Sequence, residues 1–245
     1  MTTPFELYVA TRYLFARRRQ AFISLISLVS TGGVAVGVMA LVIAMALMTG
    51  MQQDIRDKLI GAQAHVYVHK ITGGGFDDYQ EEAARLMTVP GVVGAAPSIL
   101  GRAVAMTPGI EEFVTLKGID IKLEGQVTDL DDSVLHGSLA ALWEEHDAVL
   151  GSVVIGEDLA LKLGAFVGDD ISVLTPQSVT LGPMGLMPRR RRLKVVGIFS
   201  LGLYEYDNAY GFVTLDVASR LFRKDRVDMM QLRVADLDEA PAVAG

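Results

Sequence analysis

Arg189, Arg190, Arg191 and Arg192 follow directly on Gly182-Pro183-Met184-Gly185-Leu186-Met187-Pro188. That pairing suits docking rather than bond-making, because exposed apolar groups rimmed by charge fit another protein's surface. Leu181, Met184, Leu186 and Met187 would supply the apolar tip, and the arginines a concentrated positive charge. The competing reading is a solvated hairpin whose arginines only keep it soluble. Nucleic acid fits poorly, because the whole chain carries a net charge of -7.

Residues for catalysis do not assemble in the sequence. Gly73-Gly74-Gly75 lacks the Lys-Ser/Thr ending of a phosphate-binding loop, so it reads as a turn, and ATP hydrolysis would belong to a partner. Gly151-Ser152 is not followed by the glycine that a nucleophile elbow needs. His65 and His69 would share a strand face, but no thiol or convincing carboxylate completes a metal site. With no cysteine in the chain, neither disulfides nor thiolate ligands are available. No catalytic residue, metal or cofactor is therefore expected.

The element that must position this surface is a membrane anchor. Ala21 to Gln53 contains no charged residue and no histidine, and an α-helix needs only ~20 apolar residues to cross a bilayer. Arg12, Arg17, Arg18 and Arg19 precede the run, whereas Asp54, Arg56, Asp57 and Lys58 after it cancel. The arginine excess marks the cytoplasmic flank, so the N-terminus is expected inside and the bulk of the chain outside. A cleaved signal is the alternative, with Ala44-Met45-Ala46 as a small-x-small site, but signal cores span only ~7–15 apolar residues. Residues 1–20 read as a cytoplasmic amphipathic N-terminus, with Pro4 to Arg19 either a helix at the lipid surface or an ordinary flank whose arginines only set topology, 21–53 as the span, and 54–245 as the outer domain.

Within the span, Gly33, Gly37, Ala40 and Ala44 form a small-residue stripe that invites close approach by a second helix. Met45, Met48 and Met51 lie near its outer end. Their thioethers suit varied apolar ligands, although spacing alone favours simple lipid contact. The helix is expected to continue as a stalk through Met51, Ile55 and Leu59 to a cap at Gly61.

Beyond it, strands are expected at Ala64–Ile71, Gly101–Met106, Phe113–Ile119, Ile171–Leu174, Leu193–Phe199, Ala209–Val213 and Asp228–Val234. Helices are expected at Asp77–Met87, Glu157–Leu163 and Leu215–Phe222, with a loose acidic stretch from Gln126 to Asp132. Strands mixed with short helices, without regular βαβ spacing, indicate an α+β fold. From Thr175 to Arg192 the prolines and glycines are expected to forbid regular strand, leaving a long protruding loop. The last ten residues read as the opening of a further helix, so more chain is expected beyond them.

Ser30 to Val42 resembles the first membrane helix of the LolC/LolE family of lipoprotein-releasing ABC transporter permeases. The resemblance continues through Ile155-Gly156-Glu157-Asp158-Leu159-Ala160, Leu163-Gly164, Val167-Gly168-Asp169, Gly182-Pro183-Met184-Gly185 and Val195-Val196-Gly197-Ile198-Phe199. The first helix and the proline-methionine segment are specific to that family, while the other turns are shared with the wider MacB/FtsX group.

The resemblance implies a MacB-like periplasmic core domain of mixed strands and short helices, carried on an inner-membrane permease. Its partners would be a cytoplasmic ABC ATPase dimer, a second permease subunit, a periplasmic lipoprotein chaperone, the lipoprotein cargo and membrane lipid. By position, Leu181 to Pro188 would be the hook that grips the chaperone. Pro183, Met184, Gly185 and Pro188 would sit at its tip, with Arg189, Arg190 and Arg191 as the basic pad beside it. Met48 and its neighbours would border the lipoprotein cavity between two permeases. Family members continue into three more membrane helices that this sequence does not contain. Two other readings are a MacB-like mechanotransmission subunit in efflux and a single-pass anchored scaffold.

Overall fold

A computed structural model describes residues 5–14, 21–71, 74–144, 146, 149–182, 185–236 and 240. Two helices open the chain, α1 (Phe5–Leu14) and α2 (Ala21–Ala62). No proline interrupts α2. Leu25–Asp54 within it is long and apolar enough to cross a membrane and is wholly exposed. The chain divides into two compact units, Met1–Asp54 and Ile55–Gly245.

In the second unit the elements run β1 (Val66–His69), α3 (Tyr79–Leu86), β2 (Val92–Thr107), β3 (Ile110–Ile119), α4 (Ile121–Val127) and β4 (Val134–Gly137). There follow β5 (Gly151–Gly156), α5 (Glu157–Leu163), β6 (Asp170–Leu174), β7 (Val179–Gly182), β8 (Gly185–Pro188) and β9 (Arg191–Phe199). The series ends with α6 (Tyr204–Ala209), β10 (Tyr210–Thr214), α7 (Leu215–Phe222) and β11 (Met229–Val234). The architecture is α+β, as its strand and helix mixture predicts.

The strand pairings close on themselves. β2 pairs antiparallel with β3, β3 parallel with β10, and β10 antiparallel with β5. β5 then runs parallel to β9, β9 antiparallel to β6, and β6 returns antiparallel to β2. Closure removes exposed edges from these strands. β11 and β1 extend the sheet from the first half of β2, and β4 extends it from the end of β9.

One side of this sheet packs Ala103, Ala105, Val114, Leu116, Val153 and Ile155 against Leu159 and Leu163 of α5 and Val217, Leu221 and Phe222 of α7. The other side gathers Ile119, Leu142, Val154, Val196, Phe199 and Phe212, with the two phenylalanine rings edge to face at 5.0 Å. β5 is thus buried on both faces, so it shows no polar alternation.

Capping chemistry sets several boundaries. Thr214 accepts a hydrogen bond from the Val217 N–H at 3.3 Å to start α7. Gly164, at φ +62°, ends α5 in the left-handed conformation. Asp120 accepts from Lys122 N–H at 3.1 Å to open α4, a helix that overlaps the stretch expected to be loose. Close packing demands Gly156, where a Cβ would fall on the Asp207 carbonyl. Asp207 itself is buried and accepts from the N–H groups of Leu201 at 2.7 Å and Gly202 at 3.0 Å.

Three expectations need correction. β2 is one long strand from Val92, because Val92 to Ser98 pair with β11 before the residues recognisable as strand begin. β5 was absent from the expected strands. The Thr175–Arg192 segment is not an irregular loop, since β7 and β8 form a two-stranded antiparallel hairpin. Among the described prolines of this segment, Pro176 precedes β7 and Pro188 stands at the hairpin's open end, facing Val179.

Candidate partner-binding site

The hairpin grows out of the antiparallel pair β6 and β9, in which Val173 faces Arg191, Ser172 faces Arg192 and Asp170 faces Lys194. Asp170 holds this base together, with Oδ2 3.8 Å from Arg192 Nη1 and Oδ1 3.7 Å from Lys194 Nζ. Thr175 is buried where the chain leaves β6, and its hydroxyl donates to the Leu221 carbonyl at 3.0 Å. The root is therefore fixed to α7 and to β9. Past it, Val179 faces Pro188, Thr180 faces Met187, Leu181 faces Leu186 and Gly182 faces Gly185.

Among the sequence-derived site residues, Leu181, Gly185, Leu186, Met187 and Pro188 are thus brought onto one hairpin. Pro183 and Met184 lie outside the described residues. Arg189, Arg190 and Arg191 are exposed at the hairpin's return. Among the described residues, none of these three is engaged in an ion pair, in contrast to Arg192. Gly33, Gly37, Ala40 and Ala44 are exposed along α2, and a Cβ added at Gly33 or Gly37 would meet nothing within 4 Å. Met45, Met48 and Met51 are likewise exposed on that helix.

Beside the hairpin root lies a feature that the sequence did not single out. Arg102, Val104, Phe113, Leu174 and Pro176 line an apolar groove of about 410 Å³. Phe113 is 82% exposed there, while its neighbours in sequence look like an ordinary alternating strand. A second and more polar cavity of about 490 Å³ adjoins Trp143 and Arg220. In that cavity Arg220 is already paired with Asp216 at 2.7 Å.

A buried polar cluster stands on the sheet face that α4 covers. Lys117 Nζ lies 2.6 Å from Glu124 Oε1 and donates to Gln231 Oε1 at 2.9 Å. The Thr128 hydroxyl donates to Glu124 Oε1 at 3.1 Å. Burial, helped by Glu124 and Tyr210, pushes the Tyr67 phenol above its ordinary range. Nearby, Gln63 donates to the Tyr206 hydroxyl, and the Tyr206 and Tyr210 rings stack at 4.7 Å. Burial pushes the Tyr206 phenol up to about 12, with Tyr210, Tyr67 and Glu205 adding to the effect. Both phenols therefore stay protonated throughout the neutral range.

The two histidines stand at opposite ends of β1. His65 lies just before β1, where its Nδ1 accepts from the Val234 N–H at 3.2 Å, while His69 is exposed at the end of that strand. Among the described residues no cluster of three potential ligands exists.

Comparison with known proteins agrees with an apolar N-terminal helix followed by a mixed α+β domain. Residues 27–245 match the model of the MacB-like periplasmic core domain. The lipoprotein-releasing system transmembrane protein LolC of Xylella fastidiosa is 36% identical over the whole of this chain, which covers 57% of that protein. LolC of Neisseria meningitidis serogroup B is 31% identical over 97% of this chain and 56% of its own length. The chain thus spans little more than half the length of these relatives. Among solved structures, the extracellular domain of the ABC-type transporter YknZ from Gram-positive bacteria aligns with a TM-score of 0.46 at 16% identity, over 72% of this chain and 86% of that one. On the extent of the domain match and of the LolC alignments, the chain belongs to the LolC/LolE family and carries its MacB-like periplasmic core domain.

Proposed function

We propose that the chain acts within an inner-membrane permease subunit of an ABC transporter that extracts lipoproteins and hands them to a periplasmic chaperone. The observation that carries this reading is the β7–β8 hairpin. It is braced at its root by Thr175 and Asp170 and followed by three arginines without ion-pair partners among the described residues. Leu181 and Pro183 to Pro188 are the chaperone hook, with Arg189, Arg190 and Arg191 as its pad. α2 anchors the domain with its arginine-flanked end in the cytoplasm. The exposed Gly33, Gly37, Ala40 and Ala44 stripe receives a helix of the second permease, and Met45, Met48 and Met51 border the lipoprotein path. A cytoplasmic ATPase dimer supplies the energy.

The test is crosslinking of the full-length permease to the purified chaperone. Met184→Asp and Pro183→Gly are each expected to cut capture about tenfold or more, since central apolar anchors carry most of an interface's energy. The domain's unfolding transition is expected to stay in place. Undiminished capture by both variants refutes the hook.

A further inference from the structure

We infer that the cavity between Trp143 and Arg220 is a carbohydrate-binding site that takes an uncharged sugar ring. It uses none of the residues assigned to the hook or to its pad.

Two elements wall the cavity. A short turn of 3₁₀ helix, Ala140–Trp143, packs on β5. Leu142 is buried in the second core and pins this turn, which leaves Trp143, the chain's only tryptophan, turned outward and 58% exposed. The Ser152 hydroxyl donates to the Glu144 carbonyl at 3.3 Å and ties the next residue to β5. The other wall is the first half of α7, with Asp216, Val217 and Arg220. Gly151 lets α7 lie close to β5, because a Cβ there would stand 2.4 Å from Val217 Cγ2. The space of about 490 Å³ falls within the ~300–1,000 Å³ usual for small-molecule sites.

Three features select the ligand. The indole of Trp143 offers a flat apolar face for a ring to lie on. Arg220 grips Asp216 twice, Nη2 to Oδ2 at 2.7 Å and Nε to Oδ1 at 3.1 Å, so donors and acceptors stand side by side with their charges cancelled. His146 also lines the cavity; its Nε2 is buried and, among the described residues, no hydrogen bond holds it. The ring can therefore turn that nitrogen to a bound polar group. A sugar meets all three conditions. Its C–H face covers the indole, and each hydroxyl both donates and accepts, which suits His146 in either tautomer and the mixed rim of Glu144, Asp216 and Arg220. An anion would meet Glu144 and Asp216 with its own sign, while Arg220 is already committed. An ammonium would suit Trp143 and Glu144 but would bring its charge against Arg220. An apolar chain would leave His146 and the whole rim unpaired.

The experiment measures Kd by isothermal titration calorimetry on the full-length permease with its ATPase in lipid nanodiscs. The probes are two uncharged oligosaccharides, tri-N-acetylchitotriose and maltotriose, and cosedimentation with purified cell-wall sacculi is run beside them. Saturable binding of at least one probe is expected, and Trp143→Ala is expected to raise its Kd about tenfold or more. Trp143→Phe keeps an aromatic face and is expected to stay within about threefold of the parent. Glu144→Gln is expected to raise Kd about threefold. Both positions are exposed, and an unchanged melting transition verifies folding. If Trp143→Ala shifts that transition, Glu144→Gln carries the test. Cosedimentation with sacculi names the wall glycan as the source of the sugar, and its absence names a free oligosaccharide. No saturable binding of either probe at about 10 mM overturns the inference. So does a Kd within twofold of the parent for both Trp143→Ala and Glu144→Gln, or tighter binding of choline or decanoate than of either sugar.

Discussion

Lys117→Met is expected to lower the unfolding free energy of the outer domain by about 3–5 kcal/mol, a large share of the ~5–15 kcal/mol typical of a domain. The side chains of Lys117 and Glu124 are only 11% and 1% exposed, and their charged atoms meet at 2.6 Å. Removing the ammonium leaves the Glu124 carboxylate in a dry site, with the Thr128 hydroxyl as its remaining side-chain donor. Gln231 also loses the donor on its Oε1. Methionine preserves the volume and the apolar stem, so the loss reports charge rather than packing. Adding Glu124→Leu to Lys117→Met is expected to recover most of the stability, because a buried pair exchanged whole for apolar groups is often neutral. Chemical denaturation of both variants reads this out. A loss below about 1 kcal/mol for the single variant contradicts the burial of the pair.

The second large effect lies in α2. Val38→Asp puts a carboxylate near the middle of Leu25–Asp54 and is expected to cost about 2.5–3.5 kcal/mol of insertion free energy. The charge-free run is long, so an eccentric charge could be moved out of the hydrocarbon by sliding the helix. At Val38 that escape closes. The remaining apolar pieces, Ala21–Gly37 and Met39–Gln53, are each shorter than the ~20 residues a span requires. The carbonate-resistant membrane fraction is expected to fall several-fold for this variant, while Val38→Leu behaves as the parent. Equal membrane retention of Val38→Asp and Val38→Leu contradicts a spanning role for α2.

The parts of the fold that the sequence reveals are those with local punctuation. Glu157–Leu163 and Leu215–Phe222 are helices at their expected bounds because Gly164 stops one and Thr214 caps the other. β5 escapes notice because Val153 and Ile155 face one core while Val154 faces the other, which erases the period-2 signal. The start of β2 escapes because Pro97 and its small neighbours carry little strand propensity. Pairing with β11 overrides that local preference. The hairpin's place was legible from its prolines, glycines and arginines, but its regular pairing depends on the β6–β9 base, which is a tertiary fact. Phe113 beside Glu111 and Glu112 reads as half-buried alternation, and only the register across β3, β2 and β6 reveals it as the end of an exposed row. Lys117 reads as a solvent-facing strand residue until α4 folds Glu124 over it.

The central claim is that α2 crosses the membrane and holds the hairpin-bearing domain on the side opposite the arginine-flanked N-terminus. The chain contains no cysteine, so single introduced thiols report position cleanly. Leu161→Cys, at an exposed site in the outer domain, and Thr3→Cys near the N-terminus are compared with a membrane-impermeant maleimide on cells whose inner membrane is intact. The account predicts full labelling of the cysteine at position 161 before lysis and labelling at position 3 only after it. Labelling at position 161 only after the inner membrane is broken would contradict it.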